Sequence, residues 1–146
     1  MINILFNILL SSTLIYIAVN DWRRQKITNR SLVVLLAIGL GATWAEPISV
    51  AERILGAVLT AGPLLILSVM RAGAFGGGDI KLAAAAGIVL GYVRGLMSLG
   101  ISFFVGGVYS IALLITGGRA KKGSDKFPFG PFICIGIAYC IYFVNS

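Results

Sequence analysis

Eighteen residues from Ile2 to Val19 carry no charge, and uncharged apolar runs recur from there to the end of the chain. At about 1.5 Å of rise per residue, a helix of that length covers roughly 27 Å, close to the ~30 Å hydrocarbon core of a bilayer. Lipid offers no hydrogen-bond partners, so a chain made of such runs must satisfy its backbone internally, which restricts it to helices. Composition agrees, with 58% hydrophobic residues, a mean hydropathy of +0.98 and 12% charged residues, values that do not suit a soluble domain. The expected fold is all-α: a polytopic membrane protein of about six transmembrane helices, some short or glycine-broken, with residues 1–146 forming one integral-membrane domain.

The first span ends at Asn20-Asp21-Trp22-Arg23-Arg24-Gln25-Lys26, where Trp22 suits the interfacial belt and the basic cluster a cytoplasmic loop. With no basic stretch before it and no small-residue cleavage site, this span is expected to be retained. A second helix is expected from Leu32 to about Ala45, capped by Ser31 or Asn29 and stopped by Glu46-Pro47. The third starts at about Ile48 or Ile54 and runs to Met70, with a kink expected at Pro63. A fourth, from Ile80 to about Val93, is rich in small residues, Ala83 to Ala86 in one run and Gly87 and Gly91 at GxxxG spacing, which favours close helix packing. A turn is expected at Arg94. Leu96 to Thr116 and about Phe127 to Val144 complete the six, separated by a polar loop from Gly117 to Lys126.

Lys and Arg placement orients this arrangement. Loops one, three and five hold Arg23, Arg24, Lys26, Arg30, Arg71, Lys81, Arg119, Lys121, Lys122 and Lys126, while loops two and four hold only Arg53 and Arg94. Ten against two places the odd loops in the cytoplasm. The net charge of +7 is therefore read as topology and contact with an anionic leaflet, not as a nucleic-acid surface. Among the acidic residues, Asp125 sits in the polar loop as a solvated surface charge. Asp21 and Asp79 instead fall where a helix meets the cytoplasmic face.

Asp79 lies in Gly76-Gly77-Gly78-Asp79-Ile80-Lys81-Leu82. An acidic group at the centre of a membrane helix costs roughly 2.5–3.5 kcal/mol, and each glycine weakens a helix by about 1 kcal/mol relative to alanine, so this stretch calls for a compensating role. The chain contains no histidine, which removes the usual general base and the Ser-His and Cys-His nucleophile pairs. Its two cysteines, Cys134 and Cys140, stand six residues apart in the last span and form no C-x-x-C pair for zinc. They are read as small hydrophobes facing lipid or other helices. Neither metal nor cofactor is implied. Two aspartates at one membrane face could share a proton, one activating water while the other polarises a carbonyl. Against this stand plainer roles: Asp79 as an N-cap paired with Lys81 or Arg71, and Asp21 as a boundary residue paired with Arg24. Spacing leaves both open. It also leaves open a small ion-coupled transporter with a glycine-broken helix and a non-catalytic membrane assembly subunit.

Three stretches carry a resemblance. GGGD followed by IKL resembles the GxGD signature of the type IV prepilin peptidases, a family of membrane aspartic proteases. Asp21 to Asn29, DWRRQKITN, resembles the family's first catalytic stretch, although Thr28 stands where the family often has proline. Phe127-Pro128-Phe129-Gly130-Pro131-Phe132 resembles its carboxy-terminal P-F-G-P segment. The three occur in family order and cover the chain nearly end to end.

The resemblance implies that Asp21 and Asp79 are the catalytic pair of an aspartic endopeptidase. It would remove the short charged leader of a prepilin or pseudopilin, cutting just before the substrate's apolar helix, at the cytoplasmic face of the bacterial inner membrane. It implies further that Gly76, Gly77, Gly78, Lys81, Phe127, Pro128, Gly130 and Pro131 shape the site or meet substrate, with Lys81 tuning Asp79 or binding a lipid phosphate. Larger members carry a cytoplasmic domain with paired C-x-x-C motifs and also methylate the new amino terminus. This chain resembles the short form of tight-adherence systems, for which no methyltransferase activity is expected. The partners implied are the pilin-like substrate and membrane lipids; a homo-oligomer is left open.

Overall fold

The computed structural model describes residues 2–44, 46–71, 75–116 and 128–144. These form five helices: α1 (Ile2–Arg24), α2 (Asn29–Ala42), α3 (Val50–Met70), α4 (Gly77–Ile115) and α5 (Gly130–Phe143). Three of them, Ile4–Arg24 within α1, α3 and α4, are long and apolar enough to cross a membrane, whereas α2 and α5 have 14 residues each.

Local sequence sets most of the boundaries. Arg23 and Arg24 occupy the last turn of α1, where cations suit the helix dipole. The chain then turns at Gln25, whose φ of 51° is left-handed and whose N–H donates to Asp21 O at 2.8 Å. Helix α2 starts one residue after Thr28, so neither Ser31 nor Asn29 is the cap; both lie inside the helix. Thr28 has φ −76°, close to the value a proline ring would impose, so the loop keeps its shape without proline. Helix α3 opens with a capping box in which Ser49 Oγ accepts from Glu52 N at 3.2 Å and Ser49 N donates to Glu52 Oε2 at 2.8 Å. Pro63 lies inside α3, which continues as helix to Met70.

The fourth and fifth expected spans form one element that folds back on itself, and the turn is at Gly91, not Arg94. Gly91 has φ 76° and ψ 178°, a backbone open to glycine alone without strain. Straight helix would separate Phe75 from Phe103 by about 40 Å, yet their ring centroids are 6.2 Å apart. The arm 92–115 therefore returns beside the arm 77–90. This yields six helical rods from five helices, not six full-length crossings. Gly87 and Gly91 nonetheless share one close packing face, since a Cβ added at Gly56 on α3 would run into Gly87 O and lie 2.8 Å from Gly91 C. Gly87 abuts the backbone of Gly56 on α3, and a Cβ added at Gly95 would lie 3.2 Å from Gly87 Cα.

Breaking a helix at Gly91 leaves carbonyls of the first arm without their partners. Arg53 supplies donors: Nη1 reaches Ile88 O at 2.9 Å and Val89 O at 3.1 Å, and Nη2 reaches Thr43 O at 3.2 Å. Arg94 pairs with Glu46 at the same end. The two basic residues assigned to even loops thus hold the turn together.

The core joins Leu10, Leu14 and Ile17 of α1, Leu32 and Leu35 of α2, Leu64 of α3, the Leu82 to Leu90 face of α4, and Phe132, Ile133 and Ile137 of α5. Ala83, Ala85 and Ala86 are buried, as their size favoured. Thr60 Oγ1 ties α3 to this run through Ala83 O at 2.7 Å. Outward, α1 and α3 expose Ile4, Ile8, Ile15, Val58, Leu65, Ile66 and Val69, an apolar face of the kind lipid covers. Cys134 and Cys140 are free and buried, with Cys140 Sγ donating to Arg94 O at 3.4 Å.

Candidate active site

Both aspartates are nearly sealed from solvent, Asp21 4% and Asp79 5% exposed. A buried carboxylate must find donors, and in each case the donor is backbone. Asp21, in the last turn of α1, accepts from Gly130 N–H at 3.0 Å, where α5 begins. Asp79 stands at the third position of α4 and accepts from Gly76 N–H at 3.2 Å through Oδ2. That is the side-chain half of a capping box, and glycine has no side chain to return the other half. A negative group in a first helical turn also suits the dipole.

The structure brings the two side chains to one place. Gly130 N–H holds Asp21, and each carboxylate lies within electrostatic reach of the other. The plainer reading of Asp79 as an N-cap paired with Lys81 is replaced. Asp79 is inside its helix and not the N-cap, because Gly76 takes that position. Lys81 is exposed and donates to Asn29 Oδ1 at 3.2 Å, which joins α4 to the start of α2. Asp79 Oδ1 is buried without a hydrogen-bond partner among the described residues, an arrangement that water or a bound carbonyl would complete.

Close approach explains the glycine at position 130. A Cβ there would lie 2.8 Å from Asp21 Cγ and 3.2 Å from Asp21 Cβ, and would overlap the carboxylate oxygen. The three glycines before Asp79 divide. A Cβ at Gly78 would press on Ile27 at 2.9 Å, Gly76 supplies its amide to Asp79, and Gly77 faces open space. Pro128 is half-buried, and Pro131 lies in the first turn of α5, where the missing N–H is no loss. Phe127 lies outside the described residues, as do Asp125, Arg119, Lys121, Lys122 and Lys126.

An aromatic wall beside the carboxylates was not anticipated. Phe129 contacts Phe75 at 5.1 Å and Phe103 at 5.2 Å between ring centroids, and the wall continues through Phe132, Tyr109 and Trp22. Phe75 directly precedes the glycine run and Phe129 sits in the P-F-G-P stretch, so both had a sequence signal; Phe103 and Tyr109 had none. Such rings exclude water and lower the local dielectric, which strengthens every charge interaction inside. No three His, Cys, Asp or Glu side chains gather among the described residues as a metal site would require. The chemistry this arrangement offers is that of paired carboxyl groups, one able to take a proton from water while the other supplies one.

The profile of the type IV leader peptidase family matches residues 8–111. A prepilin leader peptidase/N-methyltransferase from Bacillus subtilis (strain 168) is 35% identical over 126 residues, which cover 86% of this chain and 50% of the relative. The chain therefore spans about half the length of that curated relative. No solved structure matches it.

Proposed function

The chain belongs to the type IV leader peptidase family, and on that premise we propose that it is a membrane aspartic endopeptidase that removes the leader of prepilin-like substrates with Asp21 and Asp79. The observation that carries the proposal is that two buried carboxylates, from α1 and α4, lie within electrostatic reach of each other, Asp21 held by the amide of Gly130 and Asp79 by that of Gly76. In the proposed cycle the ionised member of the pair deprotonates water as it attacks the scissile carbonyl. The protonated member donates to the carbonyl oxygen, and collapse of the tetrahedral intermediate passes a proton to the departing amine. Asp79 Oδ1, buried without a hydrogen-bond partner among the described residues, is an oxygen with acceptor capacity left for these partners.

The site is assigned to the cytoplasmic face of the inner membrane. Arg23, Arg24, Lys26, Arg30 and Lys81 cluster in sequence around the aspartate-bearing ends, while Arg53 and Arg94 are engaged at the Gly91 turn, and basic residues favour the cytoplasm. In this reading Lys81, which donates to Asn29 Oδ1, meets lipid phosphate or holds the start of α2 near the site. The proposal is confined to hydrolysis; the chain's two cysteines both lie on α5 and form no C-x-x-C pair. The substrate class proposed is a prepilin or pseudopilin. The test is reconstitution of the chain in liposomes with a leader-bearing prepilin, followed by mass analysis of the products. A single cut at the junction of leader and apolar helix is expected, and an uncut substrate overturns the reading.

A further inference from the structure

An apolar trough of about 300 Å³ runs between α1 and α5. Ser11, Leu14, Ile15 and Ala18 line one wall, and Pro131, Cys134, Ile135, Ala138 and Tyr142 line the other. Both sets follow the three- and four-residue spacing of a single helix face. Because the helices are antiparallel, the trough has a defined start and end. At one end, Ala18 stands one turn before Asp21 on the same side of α1, and Pro131 follows Gly130, whose amide holds Asp21. At the other end, Tyr142 contacts Ser11 Oγ and donates to Asn7 O at 2.8 Å. From Ala18 to Ser11 the trough extends about 10 Å, or about two helical turns.

Apolar surface is ordinary on a membrane protein, so position must decide. A larger hollow of about 460 Å³ lies between α1 and α2, lined by Leu9, Ser12, Thr13, Tyr16, Arg30, Ser31, Val34 and Ile38. Its α1 residues occupy the face opposite Ala18 and Leu14, turned away from Asp21. The α1–α5 trough alone of these two ends beside the site, at Ala18 one turn from Asp21 and at Pro131 next to Gly130, and leads away along the helix axes.

Resting on the leader-peptidase reading above, we propose that this trough docks the substrate's apolar helix, its first two turns lying against α1 and α5 with the scissile bond delivered to Asp21 and Asp79. The trough supplies an apolar wall to a helix that would otherwise be free to rotate in lipid, and so fixes which bond reaches the carboxylates. Ile15 and Ile135, each about half-exposed or more on the two walls, are the positions that the docked helix covers.

A photo-crosslinking residue placed at Ile15 or Ile135, and for comparison at Tyr16 or Val58, tests this in the full chain in liposomes. The Asp79→Asn background retains bound substrate for crosslinking, and the unaltered chain is assayed for cleavage in parallel. Crosslinks to the substrate's apolar helix from positions 15 and 135, at least about tenfold above those from 16 and 58, are expected. A bulky Ala138→Phe should lower kcat/KM for the full prepilin, relative to a short leader-junction peptide, by about tenfold. Cleavage without the crosslinks, equal crosslinking at all four positions, or crosslinks to phospholipid alone would overturn the docking and leave the function standing. Absence of cleavage by the unaltered chain would instead overturn the function on which the docking rests.

Discussion

Gly130→Ala is the sharpest perturbation of the site, because it adds one methyl group and removes no functional atom. The new Cβ would stand 2.8 Å from Asp21 Cγ and 3.2 Å from Asp21 Cβ, against an ordinary carbon contact of about 3.5–4.0 Å. Relief requires the carboxylate to retreat by roughly 0.7–1 Å. That lengthens the 3.0 Å bond from the Gly130 amide to about 4 Å, beyond hydrogen-bonding range. A hydrogen bond to a charged group contributes about 1.5–3 kcal/mol, and at 1.36 kcal/mol per tenfold the rate should fall by roughly ten- to hundredfold. A displacement near 1 Å in a reacting group independently predicts a loss of about a hundredfold. Steady-state cleavage of a prepilin by liposome-reconstituted enzyme measures it, with membrane insertion and thermal unfolding followed alongside. Gly62→Ala is the matched control, since a Cβ there has no neighbour within 4 Å, and it should retain full rate. An alanine at 130 that cleaves at the unaltered rate with unaltered stability would refute the idea that this amide positions Asp21.

Two further outcomes test the architecture. Gly91→Ala forces a side chain onto φ 76°, ψ 178° and should cost about 1–3 kcal/mol, read as a lowered unfolding midpoint in detergent; an unchanged midpoint would contradict the fold-back. Single cysteines at positions 23 to 26, with Cys134 and Cys140 replaced, should react with an impermeant reagent only from the cytoplasmic side. Labelling from outside would invert the assigned orientation.

The parts of this protein that were legible in the sequence are those with local causes. An uncharged run long enough for a bilayer specifies a helix wherever the chain goes, and Asp21 and Asp79 stand out because a carboxylate beside such runs is rare. Their short motifs could be matched without knowing any contact. The turn at Gly91 was not legible, since GxxxG spacing is common to a packing face and to a chain reversal, and the sign of φ is decided by what packs around it. Arg53 and Arg94 looked like loop charges because their partners, Ile88 O, Val89 O and Glu46, are far away in sequence. The Ser49 to Glu52 capping box has a local signature, S-x-x-E, that hydropathy alone does not register. Gly130 could be named from its motif, but not its hydrogen bond to a residue 109 positions earlier.

The central claim is that Asp21 and Asp79 together perform hydrolysis, and Asp21→Asn and Asp79→Asn measure it most directly. Asparagine keeps the volume and one carbonyl acceptor, so the Gly130 and Gly76 amides retain a partner, but it can neither take a proton from water nor supply one at neutral pH. Each single variant, expressed and inserted like the unaltered protein, should cleave a co-expressed prepilin at least about a thousandfold more slowly. Processing at the unaltered rate by either variant would contradict the account.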